Sequence, residues 1–152
     1  MSHQERIGVV GAGPAGIMAA LTAARAGAHV SLFDTNAMVG RKLLVTGNGR
    51  CNISNVNATA ECYTCADREF LEIALARCGP QETLATLHDL GIPTYATPDG
   101  WCYPLSNSAA TVAETFAAAL ELAGVEVHLK TKISDLGTNG DGPGSVYRHL
   151  RP

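Results

Sequence analysis

Residues 7–16 read Ile7-Gly-Val-Val-Gly-Ala-Gly-Pro-Ala-Gly16, and this stretch decides the fold. Ile7 to Val10 is a short apolar run, the composition of a strand buried in a parallel sheet. Gly11, Gly13 and Gly16 follow at GxGxxG spacing. Ile17 to Ala26 is then apolar almost all round, with only Thr22 and Arg25 polar, which predicts a buried helix. Pro14 in its first turn and Gly27 just past its end match the asymmetry of helix ends. His29 to Phe33 predicts a second strand, and Asp34 closes it, 18 residues beyond Gly16. Strand, glycine turn, helix, strand and acid within about 30 residues make a βαβ unit with the context of a dinucleotide fingerprint.

Each residue type in that turn has a physical task. Gly11 lets the chain turn tightly, Gly13 leaves room for a pyrophosphate, and Gly16 lets the helix lie close to the strand. Pro14 and Ala15 open the helix, whose free N–H groups and about half a positive charge suit phosphate oxygens. Asp34 is suited to accept from a ribose 2′-OH and would repel a 2′-phosphate, which points to FAD or NAD rather than NADP. The plainer reading, a glycine-rich turn used only for packing, does not account for the acid.

Downstream, residues 35–60 read as a long loop. No acid occurs between Asp34 and Glu61, while Arg41, Lys42 and Arg50 give the segment a charge of +3 in a chain of net −3. Gly40, Gly47 and Gly49 surround those cations. Exposed backbone N–H groups and guanidinium forks together suit a pyrophosphate or an electron-rich ring. A solvated basic loop is the ordinary alternative, and its position directly after the fingerprint favours the cofactor reading. Further on, Asp67 caps a predicted helix to about Arg77. Pro80 starts another, which runs to Gly91. Residues 93–104 predict a β-hairpin about Pro98-Asp-Gly100, Ser106 or Ser108 opens a helix through Ala123, and Val125 to Leu129 predicts a strand. Lys130 to Leu136 reads as a further strand, and the glycine-rich residues 137–152 as a flexible tail.

Composition agrees with this α/β reading. Of 152 residues 46% are hydrophobic, 16% charged and 5% aromatic, with 16 glycines. That make-up fits close helix–sheet packing and argues against a disordered or nucleic-acid-binding chain. No apolar run reaches the ~20 residues of a membrane helix, and no basic start or small-residue cleavage site marks a signal peptide. The expectation is a cytoplasmic protein with reduced thiols and no membrane partner. Five cysteines are scattered, and Cys62-Tyr-Thr-Cys65 lacks the second pair that a zinc site needs, so no metal is expected. Cys51 beside Arg50 reads either as a redox thiol or as a packed side chain. His88 and His128 read as structural or surface residues. Trp101 and Tyr103 read as hairpin core rather than the wall of a site, and the serines as helix caps rather than nucleophiles.

The glycine turn combined with Gly40-Arg-Lys-Leu-Leu-Val-Thr-Gly-Asn-Gly-Arg-Cys-Asn-Ile-Ser-Asn55 resembles the BaiN/YhiN-like flavoproteins, also described as aminoacetone-oxidase-family FAD-binding enzymes or NAD(P)/FAD-dependent oxidoreductases. Gly100-Trp-Cys-Tyr-Pro-Leu-Ser106 is similar to that family's Gly-x-x-Phe-Pro-x-Ser segment, with Tyr103 at the aromatic position. The resemblance covers residues 5–136. It implies a Rossmann-like FAD/NAD(P)-binding domain, a doubly wound parallel sheet in incomplete form with a small β-hairpin, over residues 1–136. Gly11, Gly13, Pro14, Ala15 and Gly16 would then hold the pyrophosphate and Asp34 the adenosine ribose. Arg41, Lys42, Gly47 and Gly49 would line the FAD. Arg50, Cys51 and Asn52 would lie toward the flavin ring, and the Lys132–Ile133 backbone against adenine. It also implies flavin redox chemistry with NAD(P)H as electron donor and an undefined small-molecule substrate. Family members run to several hundred residues, so the chain is expected to be an N-terminal portion. Three functional readings stay open: a segment of a flavin-dependent oxidoreductase, a stand-alone dinucleotide-binding module without catalysis, and a truncated fragment with open sheet edges that does not fold stably. The sequence names no catalytic acid or base.

Overall fold

A computed structural model describes residues 5–134 and, beyond them, the backbone of three short strands. The elements run β1 (Arg6–Val10), α1 (Pro14–Arg25), β2 (His29–Phe33), β3 (Ser54–Asn55), α2 (Arg68–Arg77), α3 (Pro80–Asp89), β4 (Thr94–Ala96), β5 (Trp101–Pro104), α4 (Ala109–Leu122), β6 (Glu126–His128), β7 (Lys132–Ile133), β8 (Leu136–Thr138), β9 (Ser145–Tyr147) and β10 (Leu150–Arg151). They form two compact units: residues 1–42 with 116–152, and residues 43–115. The predicted 1–136 region therefore contributes to both.

The first unit is Rossmann-like. Its parallel sheet has the order β1-β2-β6, with Ile7 opposite Val30 and Leu32 opposite Val127. Val30 and Leu32 alternate inward along β2 and are almost fully buried. They join Ile17, Ala20 and Leu21 of α1 and Phe116 and Leu120 of α4 in the core. Each Val, Leu, Ile or Phe side chain among them contributes about 1.5–3 kcal/mol by leaving water. Only Ile17, Ala20 and Leu21 of α1 are buried, so the helix packs on one face and not all round as its composition predicts. The close approach of helix and strand rests on Gly16: a Cβ there would overlap the Gly11 carbonyl oxygen.

The second unit carries α2, α3 and an antiparallel sheet of order β3-β5-β4. Asp67 caps α2 as its position predicts, accepting from the Phe70 N–H at 2.9 Å. The hairpin turn also follows its sequence: the Gly100 N–H donates to the Thr97 carbonyl at 2.8 Å, with Gly100 at φ +89. Of the two candidate caps for α4, Ser108 acts, its hydroxyl accepting from the Thr111 N–H at 3.2 Å.

Several expectations need correction. Residues 35–60 are not wholly irregular. Arg41–Gly49 contains two 3₁₀ turns broken at Thr46 to Asn48, and Ser54–Asn55 adds a third strand to the hairpin. Two residues are too few to show alternation, so no sequence pattern announced that strand. Trp101, opposite Asn55 in that pairing, is 44% exposed, whereas Tyr103 is buried; only one of the predicted hairpin-core pair lies in the core. Within the predicted 130–136 strand, Lys132–Ile133 forms a short strand and Leu136 begins a separate one. Within the predicted tail, Leu136–Thr138 pairs antiparallel with Ser145–Tyr147, and Leu150–Arg151 with Lys132–Ile133. Val146 and Tyr147 are strand-favouring types that outweigh the neighbouring glycines. The rest of that tail lies outside the described residues. Among the described residues no helix is long and apolar enough to cross a membrane.

Candidate dinucleotide site

In the first unit, the C-terminal end of the parallel sheet gathers the glycine turn and its acid. Gly11 (φ +104) takes a conformation that side chains rarely adopt, and its N–H donates to the Phe33 carbonyl at 2.7 Å. Gly13 is the N-cap of α1 and offers no side-chain acceptor, so the first N–H groups of the helix keep their pull for an anion. Pro14 stands at N1, and Pro14 and Ala15 are exposed. A Cβ built on Gly13 would meet nothing within 4 Å, so there is open space beside the helix end.

Asp34 holds this turn in shape. Its Oδ2 accepts from the Ala12 N–H at 2.6 Å, and its Oδ1 accepts from the Asn36 N–H and the Asn36 Nδ2, both at 2.7 Å. Partial burial pushes the carboxyl up. The Asn36 and Ala12 backbone bonds, the Asn36 side chain and the nearby Arg41 charge outweigh it and hold Asp34 below the usual carboxylate value. Asn36 passes the connection on, its Oδ1 accepting from an Arg41 guanidinium nitrogen at 2.6 Å. The Gly40 N–H donates to the Ala12 carbonyl at 2.8 Å and ties the start of the basic loop to the glycine turn. Gly11 to Gly16, Asp34 and Arg41 are thus brought together. Asn36 is the member that sequence reasoning missed. The available signal was its place two residues after an acid, the spacing of an Asx-type turn.

Lys42, in the same unit, is exposed. Ile133 is half-buried, and its strand pairs it with Leu150.

The other predicted residues belong to the second unit. Gly47 and Asn48 both take left-handed backbone, near φ +55 and ψ +35 to +43. A Cβ on Gly47 would lie 2.8 Å from the Asn52 nitrogen and 3.2 Å from the Tyr103 ring. Gly49 (φ +82) needs its glycine for conformation alone. The Arg50 guanidinium sits 4.7 Å from the Tyr103 ring centroid, and its Nε donates to the Gly47 carbonyl at 3.4 Å. Cys51 is buried, and burial pushes its thiol up against a weaker pull from Thr46. Burial of the side chain favours the packed reading of Cys51 over the redox-thiolate one.

A family model, HI0933-like protein Rossmann domain, matches residues 5–148. The chain belongs to this family. This HI0933-like domain is 37% identical over 139 residues to a 3-dehydro-bile acid delta(4,6)-reductase of Clostridium scindens, a match covering 90% of the chain and 34% of the relative. It is 27% identical over 136 residues to a ribosomal RNA dihydrouridine synthase of Haemophilus influenzae, again covering 90% and 34%. The chain thus spans about a third of the length of these curated relatives. Among solved structures, a 3-ketosteroid-delta4-(5alpha)-dehydrogenase from Rhodococcus jostii RHA1 superposes with a TM-score of 0.67 at 17% identity, covering 97% of this chain and 43% of that one. At that identity the likeness establishes the fold.

Proposed function

We propose that the HI0933-like domain binds FAD and forms the dinucleotide-binding part of a flavin-dependent oxidoreductase. The observation that carries this reading is the linked set of glycine turn, Asp34 carboxylate and Arg41 guanidinium at the end of a parallel sheet. The site fits the group. Open space lies beside Gly13 at an uncapped helix N-terminus, and a helix end of this kind favours phosphate. Gly11, Gly13, Pro14, Ala15 and Gly16 would hold the pyrophosphate. Asp34 would take the adenosine ribose on the lone-pair site that its three donors leave free. Arg41, Lys42, Gly47 and Gly49 would line the cofactor, with Arg50 and Asn52 toward the ring and Ile133 toward adenine.

When bound, flavin supplies hydride and electron transfer, and the chain supplies position and charge. The reductase and synthase names of the two curated relatives agree with a redox role, and NAD(P)H is the electron donor we propose for it. FAD titration of the purified chain, followed by flavin fluorescence and gel filtration, tests the reading. The expected result is a yellow protein that keeps flavin through the column and binds it about tenfold more weakly as Arg41→Ala, a loss of ~1.4 kcal/mol. Colourless protein at saturating FAD refutes it. Anaerobic NADH should bleach the bound flavin, and unbleached holoprotein would mark a binding module without catalysis.

A further inference from the structure

The second unit has a cleft of ≈ 620 Å³ that shares one residue, Asn52, with the dinucleotide reading. Its lining includes Asn52, Asn55, Asn57, Tyr63, Asp99 and Trp101, with neither lysine nor arginine. Two large aromatic side chains stand exposed at it, Trp101 at 44% and Tyr63 at 46%. We propose that this cleft binds a flat, non-anionic ring that carries an amide edge.

The polar wall is built rather than incidental. β3 pairs with β5 so that Asn55 lies opposite Trp101. The Asn55 Nδ2 donates to the Asp99 carbonyl at 3.2 Å, and its Oδ1 accepts from the Asn57 N–H at 2.8 Å. A Cβ on Gly100 would strike both the Asn55 and the Asn57 amides, so glycine at that position is what admits them. Asn55 is thereby fixed, whereas the Asn52 and Asn57 carboxamides have no hydrogen-bond partner among the described residues. Each offers a donor and an acceptor side by side, the complement of a carboxamide or lactam edge. The indole of Trp101 supplies a stacking face.

Charge narrows the class. Asp99, a lining residue, accepts from the Thr97 hydroxyl through one carboxylate oxygen. With one carboxylate and no cation in the wall, phosphates and carboxylates are disfavoured, while a cationic ring gains from both the acid and the indole. A wholly apolar ligand would leave the two free amides unsatisfied.

Trp101 is the single tryptophan of the chain, so its indole N–H gives one resonance to follow. Amide NMR of the 152-residue chain, with and without added FAD, is titrated with nicotinamide, with nicotinate, which replaces the amide edge by a carboxylate, and with glucose. A saturable shift of the Trp101 indole and the Asn57 side-chain resonances by nicotinamide is expected, with affinity for nicotinate at least about tenfold weaker. Asn57→Ala and Asn57→Asp should each weaken nicotinamide about fivefold, the loss of one hydrogen bond, with the remaining amide spectrum unchanged as the control for folding. No saturable shift by nicotinamide, equal binding of nicotinate, tighter binding of glucose, or undiminished binding by both folded variants overturns the proposal. Because the titration is read without FAD as well as with it, failure to bind flavin counts against the proposed function and leaves this test intact.

Discussion

Replacing Asp34 by asparagine isolates what the carboxylate does for the glycine turn. The carboxylate accepts from three donors: the Ala12 N–H, the Asn36 N–H and the Asn36 side chain. In Asp34→Asn one oxygen survives and can serve Asn36, while an NH₂ group replaces the oxygen facing Ala12. One charge-assisted hydrogen bond is lost, worth about 1.5–3 kcal/mol, and a donor then faces a donor. Asp34 is half-buried, so the lower part of that range applies, about 2 kcal/mol near pH 7. For a chain of this length that corresponds to ~4–8 °C in Tm. The pH dependence fixes the cause. Asp34 has its folded pKa below the unfolded one, so its contribution is fully present above the unfolded carboxylate value of ~3.9. It is lost as pH falls through the folded value, because protonation removes the acceptor. Urea unfolding of both proteins should therefore show a constant gap from about pH 5 upward and a narrowing gap below about pH 4. Equal stability near pH 7, or a gap independent of pH down to about 3, would refute the assignment of Asp34 as the charged brace of the turn.

Gly16→Ala should lose more than about 3 kcal/mol of stability in the same assay, since its Cβ overlaps backbone rather than a movable side chain; a well-folded variant with unchanged midpoint would show that α1 and β1 separate freely. Thiol labelling of the native chain at mild alkaline pH should modify exposed Cys62 and Cys78 first and spare Cys51, whose thiol is buried and pushed up; peptide mapping that finds Cys51 among the first labelled sites would contradict its packed environment. Arg50→Ala should cost about 0.5–1 kcal/mol, the worth of an exposed cation–π contact with Tyr103, and Arg50→Lys should recover part of it; identical unfolding midpoints for all three proteins would mean that the contact contributes nothing.

What could be read from the sequence, and what could not, separates by the range of the interaction. The glycine turn, the Asp67 and Ser108 caps, the Pro14 and Pro80 helix starts and the Gly100 turn all depend on neighbours a few residues away, and each lies where its residue types place it. The brace at Asp34 joins residues 22 positions apart, yet half of it was legible, because the fingerprint spacing itself carries that long-range relation. Its other half is Asn36 as the link to Arg41: the Asx-type spacing after Asp34 signals the turn, but nothing local signals the bond onward to Arg41. The cleft was the least visible feature. It needs Ser54–Asn55 to pair with Trp101–Cys102 across some forty-six residues, and a two-residue strand leaves no periodicity to detect. Trp101 illustrates the consequence. Alternation along β5 puts Trp101 and Tyr103 on one face, yet Trp101 is exposed and Tyr103 buried, a difference set by neighbours distant in sequence. Residues whose role is set by a distant partner with no pattern of its own are therefore where a single sequence falls short, and in this chain they are the residues that shape the cleft.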